Sequence, residues 1–358
     1  MLILACVSGH GFGHGSRVAS VLTALHQLQP DWRLVLSTPL PEAFLQLAFG
    51  PVPFELRPCR WDVGVIQADA LGADGPATLM ALDQLQAALP TQLEREAHWL
   101  MQQDEPVLVL ADVAPAAADL AAAIGAPLVW MGNFGWDAIY RPMGGVFSIW
   151  ADRALALYRR GQAVIRCPFA MAMDWGLPQY AVGLTAGRPR QAARDLARSL
   201  ELDAPRERTV MVGFGGMGFA LDPHLFARWP QHCFLASDAA LAAAAPNVRL
   251  MPEQLRPLDL MPLCGRIITK PGYSTFCEAM ALGLGLHLVH REGFAEAPVL
   301  EEALRRHAPH RLLTRTQLLE GDWQLDQPLL PATGSALDPD GHQEAAVLLR
   351  QLALQFTA

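Results

Sequence analysis

The sequence is short of charge and has no cluster of positive charge. Of its 358 residues 17% are Asp, Glu, Lys or Arg, and no run of Lys or Arg interrupts a formal net charge of −8. A chain of this balance lacks the basic patch that neutralises a phosphate backbone, which excludes nucleic acid as a partner. Cysteine is sparse and scattered (Cys6, Cys59, Cys167, Cys233, Cys264, Cys277), with no C-x-x-C pair and no Cys/His ligand spacing. That pattern points to free thiols in a reducing cytosol rather than to disulfides or structural zinc. No stretch approaches the ~18 uninterrupted apolar residues of a membrane span, so only peripheral contact with a membrane stays open. The opening LILACV is apolar but very short and without a basic flank, and reads as a first β-strand rather than a signal peptide. A cytoplasmic location is expected. The Asp-x-Asp at Asp338-Pro-Asp340 precedes the last helix and reads as turn and cap chemistry, so no metal is expected.

What the chain has in quantity is apolar residue, 52% of the total, enough for two domains. Short apolar runs alternate with helical segments. LILACV is followed by a helix near Val18–Leu28 and then RLVLST; PVLVLAD (106–112) by an Ala-rich helix and APLVWMG. This rhythm of near-continuous apolar strands is that of an α/β protein with a doubly wound parallel sheet. A second series begins at Arg208 with TVMVGFGG, HCFLAS, NVRLMP, GRIITK and LHLVHR. Residues 1–180 and 204–335 are therefore expected to form two Rossmann-like domains facing a cleft, with Leu177–Asp203 as the linker region. The amphipathic tail 342–358 is expected to pack back on the first domain.

Three segments carry chemistry. The first strand ends in Ser8-Gly-His-Gly-Phe-Gly-His-Gly-Ser16. Glycines there let backbone approach a ligand at the C-terminal edge of a parallel strand, where such folds bind ligands. His10 and His14 sit in that loop, and Asp112 ends another strand at a corresponding edge, where its carboxylate could orient a histidine or simply cap the next helix. In the second series, Lys270-Pro-Gly-Tyr-Ser-Thr-Phe-Cys-Glu278 joins a strand to a helix, with Ser274-Thr275 at the helix start and Gly283 at its stop. A Gly turn at a helix N-terminus is an anion site, and Glu278, one turn in, is placed to accept from ribose hydroxyls. The alternative for Thr275 and Glu278 is a capping box. Third, Gly213-x-Gly215-x-x-Gly218 with Asp238 twenty residues on matches the dinucleotide fingerprint and raises a nicotinamide or flavin enzyme as a rival. Asp222-Pro223 falls where that fingerprint's helix should already run. A Gly-rich loop facing a diphosphate explains the same glycines.

Together these segments resemble the GT-B fold of nucleotide-sugar glycosyltransferases. The Gly/His loop is similar to that of the MurG-type N-acetylglucosaminyltransferases, and the 270–278 turn to their ribose- and phosphate-binding turn. A closer resemblance is to the glycosyltransferase-like N-terminal part of plant L-arabinokinases. It is carried by GHGFGHGSRV (9–18), WDVGVIQADALGAD (61–74), GNFGWDAIY (132–140), KPGYSTFCEAMALG (270–283) and REGFAEAPVLEEAL (291–304). The kinase half of those proteins has no counterpart here. The resemblance implies diphosphate contacts from Gly215, Gly216, Ser274 and Thr275, the ribose carboxylate at Glu278, and the base near Met251 or Leu255; Gly13, Lys270 and Gly272 are further expected donor-binding residues. It places the donor-sugar contact near Glu296, where many relatives carry an Asp/Glu-Gln pair and this sequence has Glu296-Ala297. Asn133, Trp136 and Asp137 would line the acceptor side. The expectation is a metal-independent transferase without a resident cofactor. It would move a sugar from a nucleoside-diphosphate donor, UDP-linked by resemblance, to an unidentified hydroxyl, with His14 (or His10) as base and Asp112 as its orienter. The rivals that share these features are a nucleotide-sugar 2-epimerase and a non-catalytic nucleotide-sugar binder.

Overall fold

The computed structural model describes residues 1–67, 73–214, 221–290 and 294–357. Seven strands form the first sheet: β1 Leu2–Val7, β2 Arg33–Ser37, β3 Glu55–Arg57, β4 Val107–Asp112, β5 Leu128–Gly132, β6 Ala163–Arg166 and β7 Gln179–Ala181. Their order is β3-β2-β1-β4-β5-β6-β7, and every pairing is parallel. Six more form the second sheet: β8 Thr209–Gly213, β9 Cys233–Ala236, β10 Val248–Leu250, β11 Arg266–Thr269, β12 Gly285–Val289 and β13 His310–Leu313. The order β10-β9-β8-β11-β12-β13 is again wholly parallel.

β1 is buried along its whole length and β4 nearly so, as strands covered by helices on both faces must be. This is why they read as unbroken apolar runs. Both sheets reverse strand order at one point, between β1 and β4 and between β8 and β11. Loops leaving the C-terminal ends of strands diverge there and open a crevice. The register sets Val7 beside Asp112 in the first sheet and Gly213 beside Thr269 in the second. The chemistry-bearing segments leave from these ends.

The structure departs from the sequence reading in two places. The expected linker 177–203 contributes β7 to the first sheet, while its second part forms the short charged helix expected of it, Ala193–Ser199. The first helix spans Phe12–Leu28, so it begins inside the Gly/His segment and not near Val18. Gly13 and Gly15 mask this start, because glycine is among the poorest helix formers. The C-terminal helix Gly341–Phe356 buries Ala345, Ala346, Leu349, Leu352 and Ala353, and packs along helix Phe12–Leu28. No helix among the described residues is long and apolar enough to cross a membrane.

Candidate active site

On the first domain the site is built around a buried carboxylate. Asp112 is fully buried at the end of β4. His14 and Arg17 lie three residues apart on one face of helix Phe12–Leu28 and both reach it. Arg17 donates from Nε to Oδ2 at 2.8 Å and from its second terminal nitrogen to Oδ1 at 2.8 Å, a bidentate pair. His14 Nδ1 lies 2.7 Å from Oδ1. Burial alone would push the Asp112 carboxyl up, but the adjacent Arg17 charge, helped by His14 and by hydrogen bonds from both, holds it below the usual carboxylate range. An ionised carboxylate only accepts, so the proton between the two sits on His14 Nδ1, leaving Nε2 as the other ring nitrogen of a residue that lines the cleft.

Arg17, 1% exposed, was not singled out from the sequence. Its remaining terminal nitrogen donates to Asn133 Oδ1 at 2.7 Å, and its guanidinium lies 4.5 Å from the centroid of the Tyr273 ring, across the cleft on the second domain. The one available signal was its spacing from His14, which places both on one helical face.

On the second domain, β11 ends at Thr269, Lys270-Pro271-Gly272 turns, and helix Tyr273–Ala281 follows. Its N-cap is Gly272 in extended conformation, and no side chain caps it. The capping-box alternative for Thr275 and Glu278 is therefore not what forms. Gly283, at φ +66°, ends the helix as expected, in a conformation glycine adopts without penalty. Helix Phe12–Leu28 likewise has no side-chain cap. Two helix starts without a side-chain cap, each the positive end of a dipole, thus approach each other from the two domains. Ser274 Oγ donates to the Gly13 carbonyl at 2.7 Å. A Cβ at Gly13 would sit 3.3 Å from Ser274 Oγ, so a side chain there would press the helix starts apart.

The cleft between the domains has a volume of about 1210 Å³, above the ~300–1,000 Å³ of a single small-molecule site. His10, Gly13, His14, Met251, Lys270, Gly272, Ser274, Thr275, Glu278 and Glu296 all line it, together with Gly213, Phe214, Asn133 and Arg17. Gly215 and Gly216 lie outside the described residues. Lys270 is the only lysine in the sequence. With Arg60, Arg188, Arg190 and Arg256 it lines the cleft, where Arg188 is paired with Asp340 and Arg256 with Asp259, alongside the carboxylates of Glu278 and Glu296. Glu278 is half-buried, and its side chain makes no hydrogen bond among the described residues; burial pushes its carboxyl up to about 7, nearby Arg256 drawing it down and Asp259 adding to the rise. Among the described residues no group of three or more His, Cys, Asp or Glu side chains could hold a metal ion.

Two expected acceptor-side residues do not line the cleft. Trp136 is fully buried, its indole N–H on Asp62 at 2.8 Å, and half-buried Asp137 accepts from the Trp175 indole N–H at 3.3 Å. Leu255 does not line the cleft, whereas Met251 does. Asp238, the ribose carboxylate of the dinucleotide reading, is spent as the N-cap of helix Ala239–Ala244. Asp222 caps a 3₁₀ turn at Pro223–Arg228 where the fingerprint needs an α-helix. Asp340 pairs with Arg188, and its N–H donates to Asp338 Oδ1 at 2.8 Å, a turn as expected; it occupies the N-cap position of the C-terminal helix, but its side chain makes no cap hydrogen bond.

Two parallel sheets with Rossmann strand order, facing each other across a cleft at their switch points, decide the architecture. The fold is GT-B. Solved structures of this architecture match essentially the whole chain. Medicago truncatula UGT71G1 complexed with UDP-glucose has TM-score 0.64 at 12% identity, covering 100% of this chain and 98% of that one. Phytolacca americana UGT2, complexed with UDP-2-fluoro-glucose and pterostilbene, has 0.65 at 12%, covering 99% and 94%. A UDP-glucosyltransferase from Polygonum tinctorium capable of glucosylating indoxyl has 0.60 at 15%, covering 100% and 94%. In sequence, the chain is 27% identical to L-arabinokinase of Arabidopsis thaliana over 329 residues, 88% of this chain but 31% of that protein. No protein-family model matches.

Asp112→Asn is expected to destabilise by about 3–5 kcal/mol, because it leaves Arg17 buried without its counter-charge; chemical denaturation measures this, and a loss under about 1 kcal/mol would contradict the pairing. The raised Glu278 carboxyl gives a second expectation. The folded state keeps a proton that the unfolded chain has lost between the ordinary value of 4.5 and about 7. Stability from this group is therefore present at low pH and falls as pH rises through that window. Glu278→Gln should flatten that part of the stability–pH curve, and an unchanged curve would refute the shift.

Proposed function

We propose that the protein is a glycosyltransferase that transfers a sugar from a nucleoside-diphosphate donor, with UDP as the nucleotide, to a hydroxyl acceptor, without a metal. The observation that carries this reading is that the His14–Asp112 pair of the first domain and the uncapped start of helix Tyr273–Ala281 of the second meet at one cleft, which His14, Lys270, Ser274 and Thr275 line. The matching fold neighbours solved with UDP-sugars support the donor class.

In this reading the second domain holds the donor. The diphosphate rests on the start of helix Tyr273–Ala281, on Lys270 and on Gly215 and Gly216, which follow β8 in the sequence. Glu278 accepts from the ribose, the base lies by Met251, and Glu296 stands near the sugar. The acceptor enters from the first domain. His14 Nε2 takes the proton from its hydroxyl as the oxygen bonds to the anomeric carbon, and the carbon–oxygen bond to the diphosphate breaks with its electron pair going to the diphosphate. Helix N–H groups and Lys270 meet that charge, which is the work a metal would otherwise do. His14 is favoured over His10 because the His10 Nδ1 already accepts from the Val65 N–H at 3.3 Å, which puts the proton of its neutral ring on Nε2. Release of free nucleoside diphosphate together with a glycosylated product separates transfer from 2-epimerisation, and any turnover separates an enzyme from a binder.

His14→Ala is expected to lower kcat by about 10²–10⁴ while UDP binds as before, measured by calorimetry; normal turnover would remove His14 from the mechanism. Activity should persist in excess EDTA. If it vanished and returned only with Mg²⁺ or Mn²⁺, metal-independent departure of the diphosphate would be wrong.

A further inference from the structure

A single line of buried hydrogen bonds runs from the second domain to the base. Glu296 Oε1 accepts from Asn133 Nδ2 at 2.7 Å, and Asn133 Oδ1 accepts from Arg17 at 2.7 Å. Arg17 then grips both oxygens of Asp112, which holds His14 Nδ1. Asp112 and Asn133 are fully buried, and Arg17, Glu296 and His14 are no more than 9% exposed. Every member from Asn133 to His14 belongs to the first domain; Glu296, which precedes helix Ala297–His307, belongs to the second. Asn133 uses its amide in both directions, donating to Glu296 and accepting from Arg17, so its orientation depends on both neighbours. A second tie, Arg17 over the Tyr273 ring, starts from the same guanidinium and ends on the helix whose start faces the cleft.

We propose that Arg17 and Asn133 are positioning residues that fix the orientation of the Asp112–His14 pair according to where Glu296 holds the second domain, so that the base is aligned only when the donor domain is seated. Glu296 then acts on the reaction through Asn133 as well as by its place beside the donor. The proposal rests on His14 being the base. Moving the second domain away removes Glu296 from Asn133 and the Tyr273 ring from Arg17; the amide is then free to rotate, and the guanidinium that grips the carboxylate orienting the imidazole is no longer fixed in place. Pre-organisation of this kind affects the chemical step more than ground-state binding.

The test reads the imidazole directly. In ¹⁵N-labelled protein the His14 Nδ1 proton on Asp112 should give a low-field proton resonance, identified by its absence in His14→Ala. In Glu296→Ala, shown to be folded by its melting curve, that resonance should move or broaden, and kcat should fall at least tenfold in addition to any change in donor KM. Glu296→Gln, which keeps an acceptor oxygen in the same place, should retain the resonance. Should Glu296→Ala not fold, Glu296→Leu fills the site without an acceptor and carries the same expectation. An unchanged resonance in the alanine or leucine variant would overturn the proposal, as would a change confined to donor KM, which would make Glu296 a donor contact alone. Normal turnover by His14→Ala would sink the base assignment separately, whatever the resonance does.

Discussion

A carboxylate without solvent is the constraint on which the site depends. Asp112 ends β4 under the first helix, fully buried, and an ionised group there is tolerable only if it is paired and its lone pairs are filled. Arg17 and His14 fill them together. The arrangement fixes the side of the imidazole that carries its proton, sets the rotation of the helix about its axis, and places the other ring nitrogen on a residue of the cleft wall. The same Arg17 is held in turn by Asn133 and Tyr273, so satisfying one buried charge also ties the two domains together.

The second domain meets this with the opposite device. Its helix start at Tyr273 is left without a side-chain cap, and its orphan N–H groups are usable only by something that enters the cleft. Both devices stand at points where strand order reverses, which explains how residues 98 apart, such as His14 and Asp112, come to be neighbours. Lys270, the one lysine of the sequence, lines the cleft beside that helix start and points the same way, towards an anionic ligand.

Local signals made much of this legible in the sequence. The alternating apolar runs gave both sheets, because strands covered on both faces need no polar alternation. The Lys270-Pro-Gly turn and Gly283 mark the start and stop of one helix by their backbone requirements, and the Gly/His segment announces itself by composition. What stayed hidden depends on tertiary contact. Arg17 went unremarked in the sequence because nothing near it reveals a carboxylate 95 residues away. The start of its helix was masked by glycines whose low propensity is overridden by packing. Trp136 and Asp137 suggested a lining role by their type, but burial against Asp62 and Trp175 is decided by elements distant in sequence.

The central claim is that the cleft holds a nucleotide-sugar with its diphosphate on the second domain and its anomeric carbon facing His14. A crystal structure with UDP carrying a non-transferable sugar tests it most directly. The account places diphosphate oxygens within hydrogen-bonding distance of the Ser274 and Thr275 backbone N–H groups, the ribose on Glu278, and the sugar between Glu296 and the His14 ring. A nucleotide bound with its phosphates away from that helix start, or with the sugar turned from His14, would contradict it.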